Sequence, residues 1–257
     1  MHFQLSLVHI LSCLLSIFAK VSQTIGTKNA AFLHPTFPTL ALFFSGNQYA
    51  IIDASVQDRS QSVVFGPRFI GTDWPSLVQA GFASGVDAIL PNSADNTTAY
   101  FFSDGKYALV KVAPPGGPQT SIIVDGPKDL SQWKALNGVG FKSVDGALTI
   151  PAGSNRAYVF SGDKYVHIDI NPASGTKANT ISIADGWRTL KTLGFTKDLD
   201  TVLPVPGAPE EAYFFKGDKY GRVANIVQGQ TIDTLPDGNT PRDVVLDWPA
   251  LHEAQFF

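Results

Sequence analysis

Four residues with side-chain oxygen recur at nearly even intervals along the chain: Asn29, Asp87, Asp145 and Asp200. Three carboxylates and an amide gathered together would repel and raise one another's pKa unless a cation compensated them. Oxygen-only donors suit a hard ion, Ca2+ first with Na+ as the alternative, over a transition metal. The same side chains have a second reading, in which they are solvated or cap neighbouring backbone N–H groups. Sequence alone leaves both open. Catalytic patterns are missing: the chain contains no His-Glu-x-x-His, Gly-x-Ser-x-Gly, Gly-x-Gly-x-x-Gly, Walker-type loop or cysteine pair, and it reads as a non-enzyme.

The elements that must position these four residues are themselves repeated. Ala41-Leu42-Phe43-Phe44-Ser45-Gly46-Asn47-Gln48-Tyr49 aligns without gaps to Ala99–Tyr107, Ala157–Tyr165 and Ala212–Tyr220. The second positions, 42, 100, 158 and 213, are separated by steps of 58, 58 and 55 residues, and each lies 13 residues after one of the four oxygen-bearing side chains. Every copy reads as an aromatic strand, a tight turn with Gly and Asp or Asn, and a second strand opening on Tyr, which predicts a β-hairpin. Asn29, Asp87, Asp145 and Asp200 then open a short apolar first strand in each unit. A closing stretch repeats as Gly66-Pro67-Arg68 with Trp74-Pro75, Gly126-Pro127-Lys128 with Trp133, an abbreviated Gly186-Trp187-Arg188, and Pro241-Arg242 with Trp248-Pro249. The Pro start followed by spaced apolar residues predicts a short helix at the outer edge of each unit.

Four units of strand, hairpin, outer strand and helix predict an all-β, four-bladed β-propeller over residues 25–257, with repeats of about 29–82, 83–141, 142–195 and 196–257. A β-sandwich predicts no fourfold repeat. Lone blades cannot bury both faces, so aromatics such as Tyr100, Phe102, Tyr213 and Phe215 are expected to pack between blades. The 257 residues, 44% of them hydrophobic, suffice for such a core. A net charge of −3 carries no basic surface for a phosphate backbone, so nucleic acid is not an expected partner.

Residues 1–24 read as a secretory signal peptide. The apolar run Leu5–Ala19 is short for a membrane span, which needs roughly 20 apolar residues, and it holds the chain's single cysteine, Cys13. The mature chain is therefore expected to be secreted, free of thiols and not membrane-bound. Asn96-Thr97-Thr98 is a glycosylation sequon in a polar loop, consistent with export.

The Tyr-Phe-Phe-x-Gly-x-x-Tyr hairpin, the Asp-Ala-like strand opening and the Gly-Pro-Lys/Arg…Trp-Pro-x-Leu close resemble the hemopexin repeat. The resemblance spans residues 29 to about 256 and is nearest in style to single-propeller plant albumins and hemopexin-fold lectins. It implies channel ions held largely by main-chain carbonyls at the four opening positions and two residues further on, here Ala31, Ile89, Ala147 and Val202. Ring closure, without the disulfide of related propellers, would rest on Trp248, Phe256 and Phe257. The implied function is a binding protein for carbohydrate or a small ligand, with a homodimer as one assembly; the alternative is an albumin-type storage or stress protein that binds haem or polyamine. For haem the mature chain offers only His34, His167 and His252, in three unrelated repeat contexts. Lys106, Lys164 and Lys219 recur at the turns and read as solubilising hairpin tips.

Overall fold

The computed structural model describes residues 28–55, 61–150, 155–175, 179–227 and 232–256, so the expected signal segment and Phe257 lie outside the described residues. Four separate antiparallel sheets of four strands each form the blades of a propeller. Blade one comprises β1 (Asn29–His34), β2 (Phe37–Ser45), β3 (Gln48–Asp53) and β4 (Val63–Phe69). Blade two follows with β5 (Ala88–Pro91), β6 (Thr98–Ser103), β7 (Lys106–Lys111) and β8 (Ile122–Asp129). Blade three holds β9 (Gly146–Thr149), β10 (Arg156–Ser161), β11 (Lys164–Asp169) and β12 (Ile181–Ser182). Blade four ends the ring with β13 (Thr201–Val205), β14 (Ala208–Lys216), β15 (Lys219–Val223) and β16 (Arg242–Asp243). The first strands β1, β5, β9 and β13 touch in a closed ring around the axis.

The hairpins form where the repeat places them. Ser45 pairs with Gln48, Ser103 with Lys106, Ser161 with Lys164 and Lys216 with Lys219, which leaves two-residue loops. Such loops need a left-handed first residue. Gly46, Gly162 and Gly217 supply it at φ of 53°, 58° and 60°, and Asp104 takes φ 51° in blade two ahead of Gly105.

Each hydrophobic cluster belongs to two neighbouring blades. Phe44, Tyr49 and Trp74 of blade one meet Ile89 and Phe101 of blade two. Tyr100, Phe102 and Trp133 meet Val159 and Ile168 of blade three, and Phe160 and Trp187 meet Phe214 and Val223 of blade four. The fourth cluster closes the ring: Phe215, Trp248 and Phe256 pack on Phe43 of blade one, with ring centroids 5.9 Å apart for Phe43–Phe215 and 5.8 Å for Phe43–Trp248. The aromatics of the repeat are the packing between blades, and edge-on pairs like these add about 0.5–1.5 kcal/mol beyond buried area.

One sequence expectation changes. Gly66-Pro67 and Gly126-Pro127 do not start helices; they lie in β4 and β8 with cis peptide bonds. These are outermost strands, where a proline's missing N–H costs no ladder bond. A Cβ on Gly66 would stand 2.8 Å from the Tyr49 carbonyl oxygen, so the close strand approach there requires glycine. One-turn helices at Ile70–Asp73, Ile183–Gly186 and Val244–Asp247 follow the outer strands of blades one, three and four. Further helices begin after them at Pro75–Ala80, Lys134–Gly138, Arg188–Leu193 and Pro249–Glu253, each preceded at its N-cap by a buried tryptophan. Indole burial anchors the start of each later helix to its blade.

Candidate functional site

The first strands all begin at one end of the ring, and that end carries the four oxygen-bearing residues. Asn29, Asp87, Asp145 and Asp200 line a single cavity of about 290 Å3, joined by Ser143, Asp198 and Leu199. Three of the four have local work. Asp87 accepts the Asp104 N–H at 2.8 Å, Asp145 the Gly162 N–H at 2.6 Å and Asp200 the Gly217 N–H at 2.5 Å, in each case from the first turn residue of the blade's own hairpin. The capping role is therefore real, and it fixes each carboxylate at the channel mouth.

Blade one departs from this pattern. The Gly46 N–H, which stands in the same place, donates instead to the Lys28 main-chain carbonyl at 3.0 Å. The Asn29 Oδ1 is left buried on the cavity wall with no hydrogen-bond partner, and the residue is only 6% exposed. An orphaned buried carbonyl oxygen is costly and calls for a donor or a cation.

Burial raises the pKa of Asp87, Asp145 and Asp200 above the ordinary carboxylate value, outweighing the turn N–H bonds that oppose it. The carboxylates also act on one another: Asp145 pushes up both Asp87 and Asp200. Lys28 works in the opposite direction on Asp87. Its ammonium lies 2.5 Å from Asp104, 3.1 Å from Ser103 Oγ and 4.0 Å from Asp87. Lys28 is a residue the repeat pattern could have flagged, because Val86, Val144 and Leu199 hold the equivalent place ahead of the aspartates. Sequence reasoning also missed Ser143, whose hydroxyl donates to Asp145 at 3.3 Å, and Asp198.

Ala31, Ile89, Ala147 and Val202 lie further along the same first strands, all with buried side chains. Among the described residues no group of three or more His, Cys, Asp or Glu side chains is placed to hold one metal ion. The three histidines are scattered. His34 ends β1, His167 lies in β11 against Tyr158 at 4.4 Å, and His252 sits in the last helix, so they offer no paired ligation for haem. Asn96 is exposed in its loop. All seven tyrosines and four tryptophans are buried, so no aromatic platform of those types faces solvent.

No protein-family model matches the chain. It is 30% identical over 214 residues to Albumin-2 of Pisum sativum, covering 82% of this chain and 89% of that protein. The hemopexin-fold protein CP4 from cow pea superposes with a TM-score of 0.77 at 28% identity, over 89% of this chain and 98% of that one. The chain belongs to the hemopexin-fold plant albumins. Another similar structure is a plant lectin with two metal-binding sites from Cicer arietinum, with a TM-score of 0.77, 26% identity, and coverage of 88% of this chain and 96% of that one. The albumin is a four-bladed, non-enzymatic member of this group, and the four-residue ring at its acidic mouth is part of the propeller's own repeat.

Proposed function

We propose that the albumin is a secreted binding protein that holds a cation, Ca2+ or Na+, at the acidic mouth formed by Asn29, Asp87, Asp145 and Asp200. The observation that carries this reading is the buried, unpartnered Asn29 Oδ1 beside three carboxylates whose ionisation burial disfavours. Each aspartate keeps an oxygen on its hairpin N–H, so the ion would be completed by water or by the main-chain carbonyls of Ala31, Ile89, Ala147 and Val202. A polyamine is the other compensating ligand for this mouth. The lectin reading draws on the Cicer arietinum relative; sugar-inhibitable agglutination, with the multivalency of a homodimer, tests it. Haem finds no fitting ligand pair.

The cation reading is tested by thermal melts with chelator, Ca2+, Na+ and spermine. A ligand at 100 times its Kd stabilises by about 2.7 kcal/mol, which moves a midpoint by several degrees. A raised carboxylate pKa costs stability above that pKa and nothing below the unfolded value, so the Ca2+ effect grows as pH rises through the folded pKa values. Asp145→Asn, whose amide oxygen still accepts the Gly162 N–H, should melt higher than wild type in chelator and respond less to Ca2+. A melt indifferent to every cation would leave the aspartates as turn caps alone. Secretion is checked separately by the N-terminal sequence of the exported chain.

A further inference from the structure

The other end of the channel is chemically unlike the first. Where β1, β5, β9 and β13 finish, a cavity of about 450 Å3 opens, within the roughly 300–1,000 Å3 typical of small-molecule sites. Pro35, Pro38, Pro91, Pro204 and Pro209 line it, and no Asp, Glu, Lys or Arg is present among its described lining residues. Its inner polar side chains are occupied elsewhere. His34 donates through Nε2 to the Ala113 carbonyl at 2.8 Å and accepts the Thr36 N–H on Nδ1 at 3.2 Å. Asn92 donates to Thr98 Oγ1 at 3.0 Å and accepts the Ala94 N–H at 3.2 Å. Burial lowers the His34 pKa, which keeps the ring neutral.

Ser93, which bonds to Asn155, Asn96 and Thr149 are the remaining polar side chains of the lining, and the rest is a wall of pyrrolidine rings and aliphatic side chains that binds water poorly and offers nothing to a charge. A sugar would leave most of its hydroxyls unpaired against this mainly apolar surface, and a haem iron would meet no free ring nitrogen on His34. We infer that this proline-lined mouth is a binding site for a neutral, largely apolar small molecule of two or three rings. The inference goes beyond the cation reading and does not depend on it, since the two sites lie at opposite ends of the first strands.

Fluorescence titration of the full chain with the neutral dye N-phenyl-1-naphthylamine tests it. The expected result is saturable one-site binding, weakened at least about tenfold by Ala208→Trp within the cavity and by Ser93→Trp at its exposed rim. Lys164→Ala, at an exposed position outside both mouths, should bind the dye as wild type does. Circular dichroism of each variant confirms the fold, and the exposed position of Ser93 spares the core even where Ala208→Trp disturbs packing. Failure to saturate below about 100 µM dye, or undiminished binding in the folded tryptophan variants, overturns the proposal.

Discussion

Asp73 shows how one side chain can tie a blade's outer edge together. The residue is fully buried, accepts the Tyr49 hydroxyl at 2.8 Å and is gripped by two Arg68 nitrogens, Nε and Nη2, the latter at 2.8 Å. The hydrogen bond from Arg68 is the first cause of its lowered pKa, with Tyr49 and Gln119 adding to it against burial. Blade four repeats the arrangement as Tyr220, Arg242 and Asp247, with bonds of 3.1 and 2.8 Å to the carboxylate. A depressed carboxylate pKa stabilises above the unfolded value, and that contribution is lost as pH falls through the folded pKa. Asp73→Asn should therefore cost about 2 kcal/mol in urea unfolding at neutral pH, with the gap from wild type narrowing at about pH 2. The sequence showed Arg68, Trp74 and their echoes as a repeated close, but the partnership with Tyr49 arises only when the third and fourth strands are paired.

At the scale of elements, the repeat made the hairpins legible because a Gly/Asp/Asn turn between aromatic strands has few other solutions. The outer edge was harder to read. Proline before spaced apolar residues suits a helix start equally well in two places, and only the position of the buried tryptophan decides that the later one wins. Blade three shows how the edge tolerates change. Its fourth strand has two residues, and Gly186 stands where blade one has Asp73. The Tyr165 ring occupies the vacated space, with its hydroxyl 2.1 Å and Cε1 2.5 Å from where a Cβ on Gly186 would lie. Gly186→Ala should thus cost about 1–3 kcal/mol despite adding a single methyl, as overpacking does, and denaturant melts would reveal it. An equal midpoint would mean that Tyr165 moves aside freely.

For the whole molecule, the fourfold period was sufficient to predict the propeller, and the first-strand openings were sufficient to predict an acidic ring. Less legible were the exceptions to symmetry that give the ring its character: the orphaned Asn29 oxygen, the reach of Lys28 into the next blade, and the apolar opposite mouth assembled from four separate strand ends. Repetition reports what the blades share, whereas these features depend on what they do not. The closed ring also has a consequence for pieces of the chain. Trp74, Trp248, Trp133 and Trp187 each sit in a different interface between blades, so each indole reports on one seam. Fragments 25–142 and 143–257 would each retain one seam and present the two halves of the other two. Mixed together, they should complement each other, shifting the emission of Trp133 and Trp248 to the blue as those seams close. Fragments that stayed apart would show that covalent continuity between blades two and three, rather than mutual burial, holds the circle together.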